Sequence, residues 1–154
     1  MTINDDKQKK NAVDLLRETS PTGARILSLV AAHKEMIVKE IKPLGLYLGQ
    51  EMVLLSLAEN QPCSQNELAS YLCIDHSTVT TSLSRMEKNG LVTRKKSDQD
   101  KRVTLVELTS SGLDTAEKVK DILGKSEVTM TEGLSNDDLQ TFCRVASAIV
   151  NNLN

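Results

Sequence analysis

The stretch from Cys63 to Gly112 constrains the chain most: two short helical segments, then a Lys- and Arg-rich hairpin, then the start of another helix. Ser64-Gln65-Asn66-Glu67 has the Ser-x-x-Glu spacing of a capping box, in which each side chain satisfies the other residue's free N–H. Pro62 brings the chain in extended. Leu68, Ala69 and Leu72 then recur at helical spacing. Cys73 marks a turn, Ile74 reads as a buried plug, and Asp75 as the N-cap of the next helix. That helix is expected from His76 to about Asn89, with Gly90 as its stop.

Val79, Leu83 and Met86 share one face of this second helix and should pack inward. The other positions include Ser77, Thr78, Thr80, Thr81, Ser84 and Arg85. Ser and Thr are mediocre helix formers, so a run of them calls for a reason. Contact with duplex DNA supplies one, because short hydroxyls bond phosphates and base edges and Thr methyls touch thymine methyls. A plain solvated face is the competing explanation.

Leu91–Arg94 and Val103–Leu108 alternate apolar and polar residues as two strands, joined by a polar tip, residues 95–102, that cannot bury itself. Residues 85–102 carry seven basic and three acidic groups, a net +4, in a chain whose overall charge is −2. An acidic protein has gathered its positive charge on one short segment, which favours approach to a polyanion by that face.

These residues resemble the winged helix-turn-helix core of the MarR family of bacterial transcription regulators. The family pattern has a helix ending L-E-x-x-G-L-(I/V)-x-R, a wing with D-x-R, and L-T-x-x-G opening the next helix. Here they read Glu87-Lys88-Asn89-Gly90-Leu91-Val92-Thr93-Arg94, Asp100-Lys101-Arg102 and Leu108-Thr109-Ser110-Ser111-Gly112. Met86 stands where Leu is usual, a volume-conserving departure. Leu46 to Leu57, with Gln50, resembles the family's second helix, and the order of elements matches from about residue 22 to 152.

The resemblance implies roles for particular residues. The reading helix would enter the major groove and bring His76, Ser77, Thr78, Thr80, Thr81 and Arg85 to DNA. Arg102 would reach into the minor groove, with Asp100 steadying the wing by an ion pair to Arg102 or Arg94. Arg94, Lys95, Lys96, Gln99 and Lys101 would be further wing contacts, and Ser64 a phosphate contact at a helix N-terminus. It also implies a homodimer built from the first and last helices, and a palindromic operator with half-sites roughly 34–36 Å apart. A crevice for a small phenolic or anionic effector would lie between the dimer helices and the DNA-binding lobe, for which Arg25, His33, Tyr47 and Met52 are candidates.

The expected architecture is therefore mainly α with a small β-hairpin wing: a winged helix-turn-helix lobe plus a helical dimerisation region. Residues 1–19, including Lys7 to Lys10, form a partly flexible extension; 20–45 the first dimerisation helix; 46–108 the lobe; 109–154 the helices that complete the dimer region. Ser20-Pro21 reads as a helix start, with Ile26, Leu29, Val30, His33, Ile37 and Ile41 on one face until Pro43. A second helix covers Tyr47 to about Glu59. After Thr109, Leu113, Ala116, Val119 and Leu123 should point inward, and Gly133 ends that helix. Leu139, Phe142, Cys143, Ala146, Ile149, Val150 and Leu153 make a wide terminal stripe that needs a partner surface; Cys143 reads as core.

With 154 residues there is room for one domain with a real core. Three cysteines argue against a disulfide framework, and the absence of an apolar span or signal segment points to the cytoplasm. With only three aromatic residues, stacking platforms for single-stranded nucleic acid are not expected. Peroxide-sensing relatives of this kind place their cysteine early, whereas here none precedes Cys63. Cys63, beside a helix N-terminus, is the one thiol whose position suggests a lowered pKa, and a redox regulator using it is an alternative reading. A winged-helix adaptor that binds protein is another. No nucleophile–base pair, phosphate-cradling loop, cofactor motif or metal-ligand cluster stands out, so an enzyme is not expected.

Overall fold

The computed structural model describes residues 12–154. Most of the 1–19 extension, including Lys7 to Lys10, lies outside the described residues. Residues Ala12–Thr19 form a helix, α1, and Pro21–Ile41 a second, α2. Pro21 sits at the first helical position, where its missing N–H costs nothing, but the Ser20 side chain makes no capping bond. Pro43 halts α2 as expected, and a 3₁₀ turn over Lys42–Leu44 leads to Gly45 at φ 73°.

Helix α3, Gln50–Asn60, starts three residues later than the periodicity suggests. Gly49 is left-handed, and the buried Gln50 side chain accepts the Tyr47 N–H at 3.0 Å, fixing the entry loop. Helix α4, Gln65–Leu72, carries the expected capping box: Glu67 N donates to Ser64 Oγ and Ser64 N donates to Glu67. Cys73 closes α4 in the left-handed region at φ 53°, and Asp75 caps α5, His76–Lys88. Ile74 is 39 % exposed rather than a buried plug, because it is carried on the outside of this tight turn.

Strands β2 (Val92–Lys96) and β3 (Thr104–Leu108) pair antiparallel, with Val92 opposite Leu108 and Arg94 opposite Val106. A two-residue strand absent from the sequence reading, β1 (Cys63–Ser64), joins the far edge of β3. Gln61 extends this closure by accepting the Leu108 N–H at 2.7 Å. The wing tip was expected to be wholly solvated, yet Ser97 is buried. Its Oγ accepts from the N–H groups of Gln99 and Asp100 and so ties the turn.

Thr109 caps α6, Ser110–Thr131, by accepting the Gly112 N–H at 3.0 Å. Its N–H and hydroxyl meanwhile donate to the carbonyls of Leu91 and Gly90. A Cβ on Gly112 would sit 2.0 Å from the Leu91 carbonyl oxygen, so only glycine fits there. The L-T-x-x-G pattern is thus a weld between the reading helix's exit and the start of α6. The last helix, α7 (Asn136–Leu153), opens on a Ser135–Asp138 capping box.

The core joins α3, α4, α5, the sheet and the first half of α6. Val53, Leu54, Leu57, Leu68, Val79, Leu83, Met86, Val92, Val106, Ala116 and Val119 are all essentially sealed from solvent. Fully burying one such side chain stabilises by about 1.5–3 kcal/mol. From α2 only Ala24, Ile37 and Ile41 are buried, whereas Ile26, Leu29, Val30 and His33 are exposed. Leu113 is 43 % exposed, against the inward placement expected of it. No residue of α7 is buried, and Cys143, expected in a core, is exposed. Helical spacing defines a face, but among the described residues nothing covers these faces. Among the described residues, no helix is long and apolar enough to cross a membrane.

Candidate nucleic-acid interface

Helix α5 turns Val79, Leu83 and Met86 into the core and leaves His76, Ser77, Thr78, Thr81 and Arg85 exposed, with Thr80 partly so. The structure therefore brings together the six reading-helix residues singled out in the sequence, on the surface of one helix. Several of their hydroxyls are already engaged. Ser77 Oγ and Thr78 Oγ1 both donate to the Asp75 carboxylate, the latter at 2.6 Å, and the Thr78 N–H donates at 2.9 Å. These bonds hold the Asp75 carboxyl far below the usual carboxylate range, the Ser77 hydroxyl most of all. Thr80 Oγ1 donates to the His76 carbonyl at 2.8 Å. Apart from Asp75 as a cap, this internal use of the hydroxyls was not evident from residue types and spacing.

Arg85 projects back toward the loop before α3, its guanidinium 5.3 Å from the Tyr47 ring centroid. Between them opens a crevice of about 260 Å³, lined by Tyr47, Leu48, Gln50, Ser77, Thr78, Thr81, Ser82 and Arg85. A second open groove of about 510 Å³ lies between α2 and α6, lined by Ala32, Glu35, Met36, Lys39 and Lys125 among others. Of the four effector candidates, only Tyr47 lines either space. Arg25, His33 and Met52 are exposed elsewhere, because their helix faces turn away from both cavities.

On the wing, Asp100 grips Arg102 with both carboxylate oxygens, at 3.1 Å from Nε and 3.0 Å from an Nη, and accepts the Arg102 N–H at 2.9 Å. That pairing lowers the Asp100 pKa and raises that of Arg102. The Arg102 side chain is still 92 % exposed, so the carboxylate aims the guanidinium without covering it. Arg94 is not the partner of Asp100. It reaches back to Glu87 on α5, with Nε 3.0 Å away, and holds that carboxyl below its usual range. Arg94 therefore braces the wing against the reading helix. Lys95 pairs with Glu107, Lys101 with Asp98, and Lys96 donates to Thr104. Lys95, Lys96, Gln99 and Lys101 are all exposed along the hairpin. The cross-strand Lys95–Glu107 pair was not evident in the sequence, because it depends on a register set by distant residues.

Ser64 is half-buried and its hydroxyl caps α4, which leaves a helix N-terminus beside the sheet. Cys63 departs from the expectation of a lowered thiol pKa. It is buried against β3, and burial first, then the nearby Glu67 carboxylate, push its pKa up. A thiol held neutral and away from solvent is a packing residue, so the Cys63 redox reading is withdrawn. Among the described residues no group of three or more His, Cys, Asp or Glu is placed to hold a metal ion.

The sequence pattern of the MarR family matches residues 46–104, the segment that builds this lobe. The organic hydroperoxide resistance transcriptional regulator of Bacillus subtilis is 38 % identical over 100 residues, 62 % of this chain and 67 % of that protein. The multiple antibiotic resistance protein MarR of Escherichia coli is 30 % identical over 134 residues, 86 % of this chain and 92 % of that one. The chain belongs to the MarR family. In three dimensions it resembles a mutant of E. coli MarR complexed with operator DNA, with a TM-score of 0.79 and 26 % identity. That likeness covers 88 % of this chain and 98 % of the other. The winged-helix fold and the regulator class agree with the reading of the sequence.

Proposed function

We propose that this MarR-type regulator is a homodimer that binds a palindromic duplex operator, acts as a repressor in the cytoplasm, and is released by a small phenolic or anionic effector. One observation carries the reading. A helix whose outer face is Ser, Thr and Arg stands exposed on the same rigid lobe as a wing whose Arg102 is aimed into solvent by Asp100. A helix for the major groove and a guanidinium for the neighbouring minor groove are what sequence-specific duplex binding requires.

Dimerisation rests on the uncovered apolar faces. Leu27, Leu29 and Val30 on α2 and Phe142, Val150 and Leu153 on α7 are each more than half exposed. Large apolar side chains left exposed along a helix in this way favour an interface. Release by an effector rests on the crevice between Tyr47 and Arg85. An aromatic carboxylate there would stack on the ring, pair with the guanidinium, and draw Arg85 and Thr81 away from DNA.

The test is operator binding by variants. Arg102→Ala and Arg85→Ala should each cost about 1–3 kcal/mol of affinity with the dimer intact. Wild-type affinity for both at about 150 mM salt would sink the assigned roles. A steep fall of affinity with salt, together with base-pair preference, separates this reading from a winged-helix adaptor that binds an acidic protein.

A further inference from the structure

A hydroxyl has one hydrogen to give and two lone pairs to receive with. On α5 the hydrogen is already directed at three positions. Ser77 and Thr78 donate to the Asp75 carboxylate, and Thr80 donates to the His76 carbonyl. The direction of each bond is not in doubt, since an ionised carboxylate and a carbonyl have no hydrogen to offer. Asp75 stays ionised at any ordinary pH, because the same bonds depress its pKa. Charge assistance strengthens the clamp.

We propose that Asp75 is a positioning residue that sets the hydrogen-bond polarity at the start of the reading helix, so that Ser77 and Thr78 meet DNA only as acceptors, as Thr80 does through its own bond to the His76 carbonyl. The inference rests on the reading above, that α5 enters the major groove. Its consequence is chemical. The major-groove donors are the exocyclic amines, N6 of adenine and N4 of cytosine; guanine O6 and N7 and thymine O4 only accept. The first turns of α5 are thus built to favour adenine or cytosine on the strand they face and to reject guanine and thymine there. They offer no hydrogen to phosphate either, which also only accepts. Asparagine at this position would behave differently. Its amide oxygen still caps the Thr78 N–H, but its NH₂ group cannot accept, so one of the two hydroxyls must turn its hydrogen outward.

The test is binding-site selection from a random duplex pool with the full chain, comparing wild type, Asp75→Asn and Thr78→Val. Asn and Asp cap helices about equally, so Asp75→Asn should keep its fold, checked by circular dichroism. Wild type should enrich adenine or cytosine about tenfold over guanine and thymine at one or more positions of each half-site. In Asp75→Asn that preference should drop to about threefold or less, with the rest of the motif kept; Thr78→Val should weaken the same position. A thymine preference arising from Thr methyl contacts should survive both changes. A sharp wild-type motif unchanged in Asp75→Asn, or an even loss of affinity at every position, overturns the polarity role and leaves the DNA-reading proposal standing. A chain that selects no motif overturns both.

Discussion

The DNA-facing lobe and the helical arms follow opposite rules. In the lobe, α3, α4, α5 and the sheet close on each other, and Leu54, Leu57, Leu68, Val79, Leu83, Met86 and Val106 are sealed. In the arms, α7 buries nothing, and Phe142, Val150 and Leu153 face solvent, as do Leu27, Leu29 and Val30 on α2. The lobe also ties its polar groups locally through capping boxes, the Asp75 clamp and the Asp100–Arg102 fork. One region is finished by its own residues. The other is apolar surface left open among the described residues, so on the proposed dimer folding of the lobe and pairing of the arms should be separable.

The most severe test of that separation is Gly112→Ala. The new methyl would meet the Leu91 carbonyl oxygen at 2.0 Å, a backbone atom with no room to yield. We expect loss of more than about 4 kcal/mol in urea unfolding, or no folded lobe at all. Leu83→Ala, in the sealed core, should cost about 2–5 kcal/mol of unfolding free energy. Phe142→Ala should do the reverse. The exposed ring contributes little to the monomer, but the dimer dissociation constant in sedimentation should rise by about thirtyfold, a hot-spot loss of roughly 2 kcal/mol. A Phe142→Ala protein that unfolds like Leu83→Ala would erase the distinction between the regions.

The smallest expected effect is with pH. Glu67 is held below its ordinary pKa by the Ser64 N–H and hydroxyl, as are Glu87 by Arg94 and Asp100 by Arg102. Groups with lowered folded values stabilise fully above the ordinary carboxylate range, about pH 4, and lose that contribution as pH falls through the folded value. Acid should therefore weaken the lobe, and Glu67→Gln should flatten the acid limb of its melting temperature slightly.

The lobe was largely legible because its signals are local. Ser64 and Glu67, Asp75, Gly90 and Thr109 each act within a few residues of themselves, and each does in the structure what its spacing suggested. What escaped is non-local. The strand at Cys63–Ser64 exists only through pairing with Leu105 and Val106, and the same pairing buries the thiol that looked reactive. Arg94 finds Glu87 rather than Asp100 because the hairpin register turns it toward α5. Leu113 and Cys143 sit on apolar stripes that no described residue covers. The reading-helix residues were identifiable by type, but the direction of their hydroxyl hydrogens depends on atoms that only the folded turn brings within reach.

The junction at Gly90, Leu91, Thr109 and Gly112 has a mechanical corollary. Two carbonyls at the exit of the reading helix are pinned to the first residue before α6, with a contact too tight for even a methyl group. Torque applied anywhere along that 22-residue shaft therefore arrives at the groove-facing end without slack. In the DNA complex proposed above, a small swivel far away would become a misalignment at the base pairs, with no unfolding needed to let go.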